Sequence, residues 1–238
     1  MNKFPVTIID NFYENPDLVR NFALSLPYHD PPIGQYPGSR TGLLSVENDY
    51  FFRVFTHKLF SLFFDFETTK LMWSVETNFQ KINSFSSNGN DIKNSGWIHS
   101  DNDTVFSGII YLNPNPKPGW GTSIYKLKSK EIDNCIQKTK FLHYSKSEDF
   151  DQKEHEIEKK FNNDKFVETI RVENVYNRLL LFEGGVYHGV PTYYSEDEDP
   201  RLTQVFFVYS LNTSSQFPIV RSRTSFDFDP QKFQQKKT

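Results

Sequence analysis

The chain contains one cysteine, Cys135, in 238 residues. A single cysteine excludes an internal disulfide and any CxxC metal knuckle, and a reducing compartment is the expected setting. An excess of one charge is also missing: 27 Lys and Arg stand against 30 Asp and Glu, a net charge of −3. That balance leaves no basic field for nucleic acid or an anionic lipid surface. Apolar runs are short of the roughly 18 residues that a membrane helix needs. The opening MNKFPVTIIDNF lacks a long apolar stretch and a small-residue cleavage site. It does not read as a signal peptide, and a cytoplasmic protein is expected. There is no internal repeat and no alternation of strand-like and helix-like segments, which argues against solenoids and doubly wound parallel sheets.

Aromatic residues, by contrast, are plentiful. Phenylalanine occurs 24 times and aromatics make up 16% of the chain. Each buried ring removes roughly 150–250 Å² from water, so a substantial core is within reach. A β-rich opening, FPVTIID (4–10), leads to Asn15-Pro16-Asp17, which predicts a capped helix running to about Leu26. The Pro- and Gly-rich segment 27–42 predicts loop, and the Gly- and Pro-free run 49–66 predicts a second helix. From Leu71 the pattern becomes about eight short strands. The near-continuous run TVFSGIIYLN (104–113) predicts a strand buried on both faces. Residues 128–165 are rich in Lys, Glu and Asp and predict a solvated insertion, part helix and part loop. The last residues, QQKKT, predict disorder. Helices first and strands after fit a mainly β domain with flanking helices: an antiparallel double-sheet barrel or jelly roll with the helices packed on one sheet.

Chemistry gathers at GWIHSDND (96–103). In His99-Ser100-Asp101, positions i and i+2 of a strand face one side and can reach one ion. A facial triad of two His and one carboxylate binds Fe(II) and leaves positions open. His188, in LFEGGVYHGVP just after a strand, is the candidate third ligand. Asp103 is a competing carboxylate further along the chain, expected to be solvated. A polar turn at 99–103 and a half-buried His188 would also explain these letters. Arg201 opens the strand RLTQVFFVYSL. A buried guanidinium needs an anion, and its planar fork suits a carboxylate. Thr203, on the same face, adds a hydroxyl. The acidic run SEDED (195–199) is the competing surface partner for Arg201. Trp97 shares the strand face of His99, Trp120 sits in the loop after YLN, and Arg40 sits in the turn YPGSR. All three are candidate substrate contacts, although core packing or turn chemistry would account for them as well.

The order H-x-D, YLN, GxGT, FEG, His and R-x-T resembles the Fe(II)/2-oxoglutarate-dependent dioxygenases, in particular the prolyl 4-hydroxylase-like branch. The resemblance spans about residues 73–211. The segment IIDNFYENPDLVRNFA, with YPGSR after it, resembles a poorly characterised microbial and viral subgroup. The resemblance implies a double-stranded β-helix (jelly roll, cupin-like) with Fe(II) on His99, Asp101 and His188. It implies 2-oxoglutarate as co-substrate, its far carboxylate held by Arg201 and Tyr111 with help from Thr203. The activity implied is hydroxylation of a protein side chain, prolyl among them, or of a small molecule, with release of succinate and CO2. A cupin-like metal-binding protein without turnover is the alternative, and an isomerase on the same barrel a third reading. One domain is expected over 1–238. Residues 1–70 would give helical support, 71–211 the β core with its charged insertion, and 212–238 a tail. The GWG at 119–121, where the family commonly has a GG pair, and the long His188-to-Arg201 gap depart from the pattern. Substrate and oligomeric state stay open.

Overall fold

The computed structural model describes residues 4–32, 34–129, 151–197 and 199–219. QQKKT, Cys135 and most of the charged insertion lie outside these residues.

Among the described residues nine strands form two antiparallel sheets. They are β1 (Thr7–Ile9), β2 (Ser39–Arg40), β3 (Leu71–Ile82), β4 (Phe106–Tyr111), β5 (Thr122–Leu127), β6 (Phe166–Val172), β7 (Leu179–Glu183), β8 (Tyr187–Gly189) and β9 (Arg201–Thr213). The larger sheet has the order β1-β7-β4-β9-β3-β2 and the smaller β6-β5-β8. The helices are α1 (Pro16–Ser25), α2 (Leu44–Glu47), α3 (Asp49–Ser61) and α4 (Gln152–Asn163).

Period-two alternation sorts the central strands. On one face of the large sheet Phe106, Ile110, Leu179, Leu181, Leu202, Phe206 and Val208 join Ala23 of α1 and Phe55, Leu59 and Phe60 of α3 in the main core. On the other face Tyr111, Leu180 and Phe182 pack against Ile124 and Val172 of the small sheet. The run 104–113 is thus covered on both sides, as its apolar letters predict. Rings dominate the helix side: Phe4 lies 4.5 Å from Phe106, and Phe55 lies 5.4 Å from Phe206, centroid to centroid.

Four expectations change. Asn15 makes no side-chain cap to α1, whereas Asn48 caps α3 by accepting from Phe51 N. The second helix stops at Ser61, short of residue 66. There the Asp65 side chain accepts from Glu67 N at 3.0 Å and from the Thr68 hydroxyl at 2.9 Å, an Asx turn that competes with helix. Ser39–Arg40, read as loop, pairs with β3 as its edge strand. Part of the charged insertion is not simply solvated: His155, Lys159 and Asn162 of α4 are buried, while Ile157 and Phe161 face outward.

Candidate metal and anion site

A cavity of about 230 Å³ opens between the two sheets, and His99, Asp101, His188, Arg201 and Arg40 all line it. On β9 Arg201, Val205 and Phe207 face it, and Leu202, Phe206 and Val208 face the helices.

The metal end is assembled by backbone. His99 and His188 form an isolated antiparallel bridge, His99 N donating to His188 O at 3.0 Å and His188 N to His99 O at 2.8 Å. Their rings lie 4.4 Å apart. Each ring also touches a backbone carbonyl through Nδ1: Trp97 O at 2.8 Å for His99 and Val186 O at 3.0 Å for His188. A carbonyl only accepts, so Nδ1 carries the proton in both rings, and in the neutral imidazole this leaves the lone pair on Nε2. Both Nε2 atoms face one carboxylate. His99 Nε2 lies 3.7 Å from Asp101 Oδ1, and His188 Nε2 lies 3.7 Å from Asp101 Oδ2. These spacings are too long for hydrogen bonds and short enough for one shared ion. All three ligand atoms lie within 4.8 Å of one another. Two neutral imidazoles and a carboxylate, each steadied by its own backbone contact, are a donor set suited to a divalent transition metal.

Asp101 is fixed by its main chain. Its N–H donates to Gly184 O at 2.7 Å, and its carbonyl accepts from the Thr104 hydroxyl at 2.8 Å. A Cβ on Gly184 would stand 2.5 Å from Asp101 O, so this glycine of FEG permits the close approach. Asp103 is exposed in the following turn and lies outside the cluster.

The other end is set in the core. Arg201 is 2% exposed. Its Nε donates to Trp120 O at 2.6 Å, its guanidinium carbon lies 5.5 Å from the Tyr111 ring centre, and its Nη2 has no hydrogen-bond partner. No ion pair among the described residues includes it; Lys117 takes Asp197 of the acidic run instead. Burial lowers its pKa, and the neighbouring Tyr111 and Tyr193 partly restore it. Thr203 Oγ1 is buried and unpartnered as well. Tyr111 does not open onto the cavity: it is fully buried, and its hydroxyl donates to Thr122 at 2.9 Å. Desolvation by burial raises its pKa. Asn113 of YLN positions the start of β9, accepting from Leu202 N at 2.7 Å and donating to Pro200 O at 2.9 Å.

Trp97 is buried, lines the cavity and stacks on His155 of α4 at 5.8 Å. Trp120, a candidate substrate contact, is fully buried: its indole N–H donates to Tyr194 O at 2.8 Å, and its contribution here is the carbonyl that receives Arg201. Sequence reasoning missed Asn162 and Asn163. Asn163 accepts from Ile98 N at 3.0 Å and donates to Gly96 O at 2.9 Å, and Asn162 donates to Ile98 O at 2.9 Å. These amides tie α4 to the segment that carries His99. The only sequence signal was a pair of uncharged amides ending a charged helix.

The comparisons with known proteins agree with this geometry. A family of unknown function, DUF6445, matches residues 1–207. No curated protein matches the chain. HygX from Streptomyces hygroscopicus, solved with nickel and 2-oxoglutarate bound, is 14% identical over 87% of this chain and 83% of its own, with a TM-score of 0.50. A Trichoplax adhaerens prolyl hydroxylase, in complex with a hypoxia inducible factor peptide fragment, is 14% identical over 95% of this chain and 89% of its own, with a TM-score of 0.47. A Pseudomonas putida prolyl-4-hydroxylase is 16% identical over 86% and 92%, with a TM-score of 0.42. At these identities the likeness is one of fold. Among the described residues no helix is long and apolar enough to cross a membrane. The chain belongs to DUF6445, a family of unknown function, and its fold is that of the Fe(II)/2-oxoglutarate-dependent oxygenases.

Proposed function

We propose that this chain is an Fe(II)- and 2-oxoglutarate-dependent oxygenase that hydroxylates a small molecule or a protein side chain. Its two sheets are read as one double-stranded β-helix, and residues 1–238 as one domain. The observation that carries the reading is Arg201: a buried cation with a spare donor, in the same cavity as a His/Asp/His cluster and with no ion pair among the described residues. Such a charge is costly to hold unless a ligand completes it. A pure metal-binding protein or an isomerase gains nothing from it.

The residues divide the work. His99, Asp101 and His188 hold the metal, their protonated Nδ1 atoms keeping Nε2 directed at it. Arg201 receives the far carboxylate of 2-oxoglutarate through Nη2, and the Thr203 hydroxyl adds a second donor. Tyr111 and Trp120 orient the guanidinium from behind: one packs its ring against it, and the other takes up Nε. Apolar walls from Val205, Phe207 and Phe182 exclude water around the reacting groups. Iron with 2-oxoglutarate and O2 would supply the oxidising power: one oxygen atom would enter succinate as CO2 leaves, and the other would enter a substrate C–H bond.

The test is anaerobic addition of Fe(II) and 2-oxoglutarate, read by the visible metal-to-ligand charge-transfer band. The wild-type protein shows the band, and His99→Ala and His188→Ala abolish it. No band in the wild type overturns the oxygenase reading, and a band that survives either substitution overturns the ligand assignment.

A further inference from the structure

A second arginine, Arg40, also lines the cavity, and nothing in the site as described gives it work. Phe207 lies six residues beyond Arg201 on the same face of β9, roughly 20 Å away at the usual rise per residue. Over its ring, at 5.4 Å, sits the guanidinium of Arg40, which also stacks on Tyr36 at 4.0 Å.

The socket is built rather than incidental. The Arg40 main chain is held on both sides: it exchanges two hydrogen bonds with His29, at 2.8 and 2.9 Å, and pairs with Gln80 of β3. The loop that carries Tyr36 is pinned by Gln80 Nε2, which donates to Pro37 O at 2.7 Å. Gly38, with φ +65°, lets that loop press on β3, where a Cβ would stand 2.0 Å from Lys81 O. Burial brings the Arg40 pKa down to about 10, so the group remains a cation at neutral pH. Its Nε is buried without a hydrogen-bond partner, and none of the ion pairs among the described residues includes it. Asp101 acts on it only through space.

The cavity therefore holds two cations beside the metal ligands, Arg201 and an Arg40 flanked by rings. We infer that Arg40 is the substrate-recognition residue, and that the substrate is a small carboxylic acid whose carboxylate docks on Arg40 with an apolar portion against Tyr36 and Phe207. This rests on the oxygenase reading, which assigns Arg201 to the co-substrate and leaves Arg40 to the other ligand. The planar fork suits a carboxylate, and stacking fixes its plane before the ligand arrives. A small molecule is favoured over a protein side chain because the guanidinium is half-buried and walled by Gln35, Tyr36 and Pro37.

The protein is loaded with nickel, which is redox-inert here, and saturated with 2-oxoglutarate so that Arg201 is occupied. Calorimetry then measures a series of monocarboxylic acids, from acetate to 3-phenylpropanoate, beside the neutral amide of each. At least one acid should bind tenfold or more tightly than its amide. Arg40→Gln should remove that preference, and Arg40→Lys should keep part of it, with nickel and 2-oxoglutarate affinities unchanged. If Arg40→Gln fails to fold, the acid–amide comparison in the wild type and the Lys variant decide. Equal binding of acid and amide, no binding by any acid, or a change in nickel affinity with the preference intact overturns the assignment. If nickel and 2-oxoglutarate themselves do not bind, the oxygenase reading falls and takes this inference with it.

Discussion

At the metal end of the cavity, His99 and His188 are joined by one isolated bridge, and a helix amide props the segment from outside. At the other end, Arg201 and Thr203 belong to a strand of 13 residues that is paired on both sides and covered by the helical core. The metal end is a polar assembly at a sheet margin, satisfied by its own backbone. The anion end is an unsatisfied charge set into hydrophobic structure. On the proposed reading, local backbone contacts would limit how well a metal is held, whereas the buried guanidinium would lower stability until an anion binds.

The contrast can be broken most sharply at Arg201. Arg201→Met should weaken 2-oxoglutarate binding by about 2–5 kcal/mol, roughly thirtyfold to several thousandfold, with nickel affinity retained. The same substitution should raise the melting temperature of the ligand-free protein, because it removes an unpaired buried charge. With nickel and 2-oxoglutarate at saturation, the wild type should be the more stable. Calorimetry and thermal melts check both halves, and parallel loss of nickel and 2-oxoglutarate binding would make Arg201 merely structural.

At the metal end, Asn163→Ala removes three hydrogen bonds and leaves Gly96 O, Ile98 N and one N–H of the Asn162 amide to find others. The expected cost is about 1–3 kcal/mol of stability. Metal affinity should fall about tenfold or more while 2-oxoglutarate affinity in the nickel-saturated protein holds. Denaturant melts and metal titration measure the two.

A smaller effect follows from His155, which stacks on Trp97 and whose pKa burial lowers from 6.5 to about 4, with Lys159 adding to the shift. The unfolded chain binds this proton more readily. Stability from this residue is therefore full above pH 6.5 and is lost as pH falls toward 4. Melting temperature against pH should slope less in His155→Gln than in the wild type across that window; identical slopes would remove His155 from the account. Smallest of all, Asp103→Asn should leave nickel binding unchanged and stability within about 0.5 kcal/mol, since the side chain is exposed. A clear loss of metal would make Asp103 a ligand.

Much of the fold was legible because period and composition are local. The helix starting at Pro16, the strand within 104–113 and the long last strand all stand where the pattern puts them. His99, Asp101, His188 and Arg201 were legible as chemistry, since few other tasks want those residue types beside buried strands. The N-terminal cap failed because Asn15 had no need to fold back on its helix. The inward face of α4 was hidden because His155, Lys159 and Asn162 look solvated in any local window.

By itself the sequence determined which residues alternate, which can carry a charge or bind a metal, and where the chain must turn, because these depend on neighbours within a few positions. Only the tertiary structure decided that Arg201, Val205 and Phe207 of β9 face a cavity rather than the helices. It alone showed that Asp197 of the acidic run pairs with Lys117, that among the described residues Arg201 has no ion pair, and that Arg40, on a two-residue edge strand, shares the cavity. Those outcomes depend on how the two sheets close on each other, and that closure brings together residues far apart in the chain through contacts that no local pattern encodes.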